Sequence, residues 1–359
     1  MDRMGVTTRT ICLGKTRVLL RFAGPTLLPF AAPLAHQFGP GPAGPNPAGP
    51  PEAQLTIELW DAASTGVLPP PWPRDEDVPA KGQVRRYAEA GVWVRFSGGV
   101  RRSDGAFAAM TVFDERASVI SYFVSTPDWI PWHERSAPLR TALQWGLAGP
   151  DRLLVHAGAV GRDGRCVLLA GRAGSGKSTM AVAALLADCD FLGDDYLFVA
   201  LGAPHPVAHS LHATAKLAPE ALTLLPGLAG HAALRLPAGA DKHVLNVGAI
   251  RPDGLRRSAR IMAIVVPQVE PLSGPRVGPR LGRRGRPQTS PAAGLERCSP
   301  GAALLALAAS TVLQAPQRDA AELGPLAKLV RSVPAYRLAL SETVAPITGV
   351  IDQLIGLEA

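Results

Sequence analysis

Two short stretches of this 359-residue sequence bring residue types capable of chemistry into close spacing. The first is Gly171-Arg172-Ala173-Gly174-Ser175-Gly176-Lys177-Ser178, followed by Thr179, and it fits the pattern GxxxxGK[ST]. Glycines let a backbone curl so that successive N–H groups converge on an anion. A helix that begins at Lys177 adds its positive dipole end to the same place. In that arrangement Lys177 reaches the β- and γ-phosphates of a nucleotide, and the Ser178 hydroxyl sits on Mg²⁺. The flanks agree. Cys166 to Ala170 is a short apolar run of strand type, and Thr179 to Ala187 is rich in Ala and Leu, as a helix is. An ordinary glycine-rich turn between strand and helix is the alternative.

The second stretch is Asp194-Asp195, with Asp194 lying 17 residues after Lys177. That interval holds one helix and one turn, so the next strand returns the acids to the side of the glycine loop. Neighbouring residues on a strand point to opposite faces. Both acids serve one site only if the chain bends, and Gly193 allows a bend. One carboxylate can then hold Mg²⁺ while the other accepts a proton from an attacking hydroxyl. A turn that ends a strand is the simpler alternative, since Asp is common in turns.

Other polar residues carry weaker signals. His156 stands at the end of the apolar run Leu153 to Ala157, where a packed core histidine is the usual case. His205, His209, His212, His231 and His243 are scattered without metal-ligand spacing. Lys216, Asp241 and Lys242 lie in polar breaks, within reach of nucleotide or substrate or simply solvated.

The surrounding elements divide at about residue 150. Residues 1–150 read as a β-rich part, with strand patterns at Arg17–Phe22, Leu55–Trp60, Val92–Phe96, Ala109–Phe113 and Ser118–Val124. A helix is expected over Pro138–Leu147, with Trp145 in the core. Residues 151–359 read as an α/β domain: strands at Leu153–Ala157, Cys166–Ala170, Phe191–Ala200 (interrupted at Gly193-Asp194-Asp195), Ala259–Val266 and Tyr336–Leu340, and helices over Ser178–Asp188, Ala302–Leu313, Ala320–Val330 and Ile347–Leu357. Two Pro/Gly-rich stretches, 39–51 and 271–292, read as loops, the second with five arginines between Arg276 and Arg286.

Composition bounds the function classes. The chain is 47% hydrophobic and 18% charged, with a formal net charge of +8. No basic and aromatic residues interleave as on a nucleic-acid platform, so no nucleic-acid partner is expected. Cys12, Cys166, Cys189 and Cys298 are too dispersed for a zinc site or a disulfide framework, which fits a reducing, cytoplasmic setting. Val18–Ala35 is broken by Arg21 and prolines, and Gly301–Leu313 is too short to span a bilayer, so no membrane segment is expected.

The combination VHAGAVGRDGRCVLLAGRAGSGKST (155–179) with FLGDDYLFV (191–199) resembles the catalytic domain of HPr kinase/phosphorylase. It is most similar to the HPr-kinase-like proteins found beside ribosomal and lasso peptide modification genes. Weaker similarity continues through SLHATAKLAPE (210–220), DKHVLNV (241–247), ASTVLQAP (309–316) and VRSVPAYRLAL (330–340). The resemblance implies a P-loop catalytic domain of that type. It also implies ATP- and Mg²⁺-dependent transfer of a phosphoryl group to a serine of a small protein or ribosomally made peptide. It carries Gly171, Gly176, Lys177, Ser178 and Thr179 onto the family's phosphate loop and His156 onto the histidine that assists before it. It carries Asp194 and Asp195 onto the double aspartate, with Asp194 as base and Asp195 as metal ligand beside Ser178. A homo-oligomer is also in keeping with it. The loop continues as GKST where the bifunctional enzymes have GKSE, and LHATAKL stands near the place of their ARGLG-type signature. Phosphorolysis and HPr itself therefore lie outside what the resemblance implies. A nucleotide-binding accessory protein and a small-molecule kinase remain the alternatives.

Overall fold

The computed structural model describes residues 5–39, 54–67, 84–87, 90–100, 107–202, 204–228, 231, 233–234, 242–269, 294–312, 323–340 and 347–356. Residues 40–51 and 271–292 of the two Pro/Gly-rich stretches, and Asp241, lie outside them.

The first half contributes β1 (Val6–Leu13), β2 (Thr16–Ala23), β3 (Leu55–Asp61), the one-turn α1 (Ala62–Thr65), β4 (Val84–Tyr87), β5 (Val92–Val100), β6 (Phe107–Asp114) and β7 (Val119–Val124). They form one seven-stranded sheet in the order β1-β2-β3-β7-β6-β5-β4. Period-two patterning explains it: Val18, Leu20 and Phe22 of β2 and Leu55, Ile57 and Leu59 of β3 are buried, with partly exposed residues between them. The helix expected over Pro138–Leu147 is α3 (Arg140–Leu147), while a 3₁₀ segment (Pro29–Gln37) and α2 (Trp132–Ser136) were not foreseen from the sequence. Trp145 is buried in this core, as expected.

The second half is a mixed α/β arrangement. In chain order it runs β8 (Arg152–Val155), β9 (Gly158–Arg162), β10 (Arg165–Leu169), α4 (Lys177–Leu186), β11 (Asp190–Gly193), β12 (Leu197–Ala200), β13 (Val207–Ser210), β14 (Thr214–Leu217), α5 (Pro219–Thr223), β15 (Ala233–Leu234), β16 (His243–Asn246), α6 (Val247–Ile250), β17 (Ser258–Val269), β18 (Leu295–Cys298), α7 (Pro300–Thr311), α8 (Leu323–Ser332), β19 (Ala335–Leu340) and α9 (Ile347–Ile355). Nine strands make the main sheet, with the path β11-β9-β10-β17-β13-β12-β8, and β19 and β18 continuing from β17. Strand β10 runs parallel to β17, and β17 parallel to β19. Strands β14, β16 and β15 form a separate small sheet.

Strand β10 reads as a continuous apolar run because both its faces are covered. Val167 and Leu169 pack with Met180, Ala181 and Leu185 of α4 and with Ile351 and Leu354 of α9. Cys166 and Leu168 face Leu307 of α7 and Leu326 and Leu329 of α8. Helix α7 starts where Ser299 Oγ accepts from the Ala302 N–H, with Pro300 at its first position.

The core does not stop at residue 150. Leu154, Phe198 and Leu211 join the cluster built by Phe22, Leu34, Ile57 and Trp145. The seam is also hydrogen-bonded: Gln37 Nε2 donates to the carbonyls of Ser210 and Arg257, both at 2.8 Å, and the Ala213 N–H donates to Pro33 O at 2.8 Å. Among the described residues no helix is long and apolar enough to cross a membrane.

Candidate active site

The glycine loop leaves the end of β10 and closes at the start of α4. Gly171, Gly174 and Gly176 all have positive φ, at 151°, 78° and 94°. These are conformations that an L side chain rarely adopts. A Cβ on Gly171 would also lie 2.7 Å from Ser175 Oγ, so the loop closes on itself at that point. Ser175 Oγ is buried without a hydrogen-bond partner. Lys177 folds back over the loop, donating to Gly171 O at 2.5 Å and to Arg172 O at 3.1 Å. Burial lowers the pKa of its ammonium, against the pull of Asp194 and Asp195, and Lys242 is close enough to lower it further. Arg172, Ala173 and Gly174 face solvent, while Ser178 and Thr179 are half-buried on the first turn of α4.

Topology brings the acids to this loop. Strand β11 pairs with β9 on one flank of β10, whereas β12 pairs with β13 and β8 on the other. The chain from Gly193 to Leu197 therefore crosses the end of the sheet, and Asp194 and Asp195 stand in that crossing. The interruption expected in this stretch is the passage from one flank of the sheet to the other.

The two carboxylates have different surroundings. Asp194 is 3% exposed; its Oδ2 accepts from the Lys216 backbone N–H at 2.7 Å, and its Oδ1 has no partner. Burial raises its pKa, opposed by that N–H and by a hydrogen bond from the Ser178 hydroxyl. Asp195 Oδ1 lies 2.7 Å from His156 Nε2, and its Oδ2 pairs with the Lys216 ammonium. Against the burial that would raise it, Lys216 and His156 hold the Asp195 carboxyl well below its ordinary range. Asp194, expected as base, is thus the acid beside Ser178. Asp195, expected as metal ligand, faces His156 and Lys216.

His156 is fixed on several sides. Its backbone N–H donates to Thr311 Oγ1 at 3.0 Å, and Nδ1 lies 3.3 Å from Ser310 O. Its ring stacks on Tyr196 at 4.8 Å between centroids and 19° between planes. Tyr196 in turn bonds Arg140 Nη1 at 2.6 Å, and burial pushes its hydroxyl pKa up to about 12. The Lys216 ammonium lies 6.0 Å from the Trp132 ring centroid.

The expected site residues stand in this region, Lys216 turns out to pair with Asp195 rather than to be a solvated loop charge, and the structure adds Tyr196, Arg140 and Trp132. Thr214 and Lys216 share a face of β14 by the two-residue period, which moves Lys216 from a polar break into the acid pocket. His209 and His212 belong to the buried scaffold, while His231 and His243 are exposed. No group of three or more His, Cys, Asp or Glu among the described residues could hold a metal. A magnesium site of one carboxylate, one hydroxyl and substrate phosphates needs no such group. The four cysteines form no disulfide.

Neither a protein-family model nor a curated protein matches this chain. Among solved structures it is similar to the Hpr(Ser) kinase/phosphatase from Coxiella burnetii, at 12% identity and a TM-score of 0.28, over 56% of this chain and 93% of that one.

Proposed function

We propose that this chain is an ATP- and Mg²⁺-dependent phosphotransferase that moves the γ-phosphoryl group to a serine hydroxyl of a small protein or ribosomally made peptide. The observation that carries the reading is the crossing of the acid pair over a glycine loop that ends in Lys177-Ser178. The residues also suit the ligands. Asp194, whose Oδ1 has no partner, and the nearby Ser178 hydroxyl supply oxygens suited to a divalent cation, and Ser175 Oγ and the loop N–H groups suit phosphate.

In this reading Lys177 exchanges its loop carbonyls for the phosphates, and Asp194 and Ser178 would hold the metal. A Mg²⁺ ion held there would supply positive charge to offset that developing on the transferring group. The serine oxygen forms a bond to the γ-phosphorus, the bond to the β–γ bridging oxygen breaks, and ADP leaves. His156 and Lys216 keep the Asp195 carboxylate ionised and in line, so it is a weak base that takes the serine proton only as the serine oxygen bonds to phosphorus. These roles exchange those expected of the two acids from sequence. Positioning and charge neutralisation supply most of the acceleration.

The test is incubation with γ-labelled ATP, Mg²⁺ and serine-containing peptides encoded beside this gene. Labelled phosphoserine from wild type, and none from Lys177→Ala, is the expected result. Bound nucleotide with no labelled peptide or protein would replace the reading with that of an accessory protein.

A further inference from the structure

The site borrows from the N-terminal half in a way that phosphate and metal binding do not explain. Arg140 opens α3, and Leu139 before it has a φ of 59°, a strained setting for a buried leucine. Strain of this kind persists only where surrounding structure enforces it, and it gathers at functional sites. Here His212 Nε2 donates to Pro138 O at 3.0 Å and the Leu143 N–H donates to Leu139 O at 2.8 Å, so the turn is held from both halves. The held turn aims Arg140 at Tyr196. Its Nη1 bonds the phenol oxygen at 2.6 Å, and its guanidinium carbon stands 4.9 Å from the ring centroid. The other end of Tyr196 is the stack on His156.

Behind Arg140 lies a buried polar cluster. Arg95 Nη1 reaches Ser97 Oγ at 2.6 Å, Thr141 Oγ1 at 3.1 Å and Glu134 Oε1 at 3.4 Å, and Ser97 Oγ donates to Glu134 Oε1 at 2.8 Å. Glu134 is also close enough to favour the charged form of Arg140. A buried ion pair of this kind is a weak source of stability compared with apolar packing. Its position gives it a use: it steadies the two helices that present Arg140.

We propose that Arg140 is a positioning residue of the phosphotransfer site, acting through Tyr196 to fix the plane of His156 and thereby the direction of Asp195. The imidazole then has three constraints: Ser310 O at Nδ1, Asp195 at Nε2, and Tyr196 on its face. Removing the third lets the ring turn and Asp195 swing toward Lys216 alone. The N-terminal sheet is, on this view, part of the catalytic apparatus through α3. The proposal rests on the phosphotransferase reading, but its first readout does not.

The experiment uses full-length protein with isotope-labelled histidine, the His156 ring signals being assigned by their loss in His156→Gln. Arg140→Met is expected to shift those signals, to lower kcat by about 10²-fold as a misplacement near 1 Å does, and to leave the KM for ATP unchanged. Arg140→Lys should recover part of kcat. Tyr196→Phe, which keeps the ring but loses the bond to Arg140, should match Arg140→Met, and the double variant should lose no more than either single one. If Arg140→Met does not fold, Arg140→Lys and Tyr196→Phe decide by the same readouts. Unmoved His156 signals, multiplying losses, or an effect confined to KM would overturn the proposal. A wild type that transfers no phosphate would defeat the phosphotransferase reading by itself, while the His156 signals would still decide the positioning.

Discussion

At the residue scale two adjacent acids have unlike settings. Asp194 has an oxygen with no partner and a hydroxyl nearby, whereas Asp195 is held anionic by His156 and Lys216. Asp194→Asn is therefore expected to raise the Mg²⁺ concentration needed for activity. Asp195→Asn should keep metal–nucleotide binding and lose about 10²–10⁴-fold in kcat, the range for a removed general base. Magnesium titrations of both variants separate the roles, and the opposite pattern would restore the order first expected from sequence. Gly171 gives a third handle. At φ 151°, with Ser175 Oγ 2.7 Å from a would-be Cβ, Gly171→Ala has to deform the loop. Weakened ATP binding with a nearly unchanged melting temperature is the expected outcome, measured by calorimetry on one sample.

At the element scale the hairpin β9–β10 carries the loop. Asp163 and Gly164 turn it with φ of 52° and 73°, the primed-turn geometry that fits antiparallel strands. Gly161 sits against the partner backbone, where a Cβ would lie 1.9 Å from Arg165 O. Gly161→Ala should cost several kcal/mol, about the scale of severe backbone clashes in a core, and a thermal melt reads it directly. Legibility in the sequence followed signal strength. The path from β10 through the loop into α4 was readable because an apolar run, three glycines and an Ala-rich helix each report on their own level. Strand β9 was not, since Gly158, Ala159 and Gly161 have little side-chain pattern, although they are buried. Strand β1 was hidden by its alternation of Thr and Arg along an edge of the sheet, with only Ile11 and Leu13 buried. The acids were visible as a pair, but not the fact that β11 and β12 lie on opposite flanks of β10. Tyr196 stands in the FLGDDYLFV stretch but carried no signal of its own, Arg140 belongs to no motif, and only the packing of α3 brings the two together at His156.

At the scale of the whole molecule the two halves meet across a seam lined with neutral histidines. Burial lowers His36, His209 and His212 from 6.5 to about 4. Their pKa values are lower folded than unfolded, so the unfolded chain takes up more protons between those limits. Stability is therefore full above pH 6.5 and falls as the pH drops toward 4, by up to roughly 3 kcal/mol for a fully buried histidine such as His212. Melting temperatures measured across that window should decline steeply, and His209→Leu should flatten part of the slope. A flat profile in the wild type would mean that the seam does not hold these rings neutral. The seam also delivers α3 to the acids, so a residue of the N-terminal half reaches the site beside the glycine loop. The central claim is that a nucleotide triphosphate and the acid pair occupy a single pocket. A crystal structure with a non-hydrolysable ATP analogue and Mg²⁺ tests it most directly. The expected result is a terminal phosphate on Lys177 and a metal between Ser178 and Asp194, with the Asp195 carboxylate, held by His156 and Lys216, beside the acceptor's place. A terminal phosphate pointing away from both acids, or a nucleotide bound elsewhere, would contradict it.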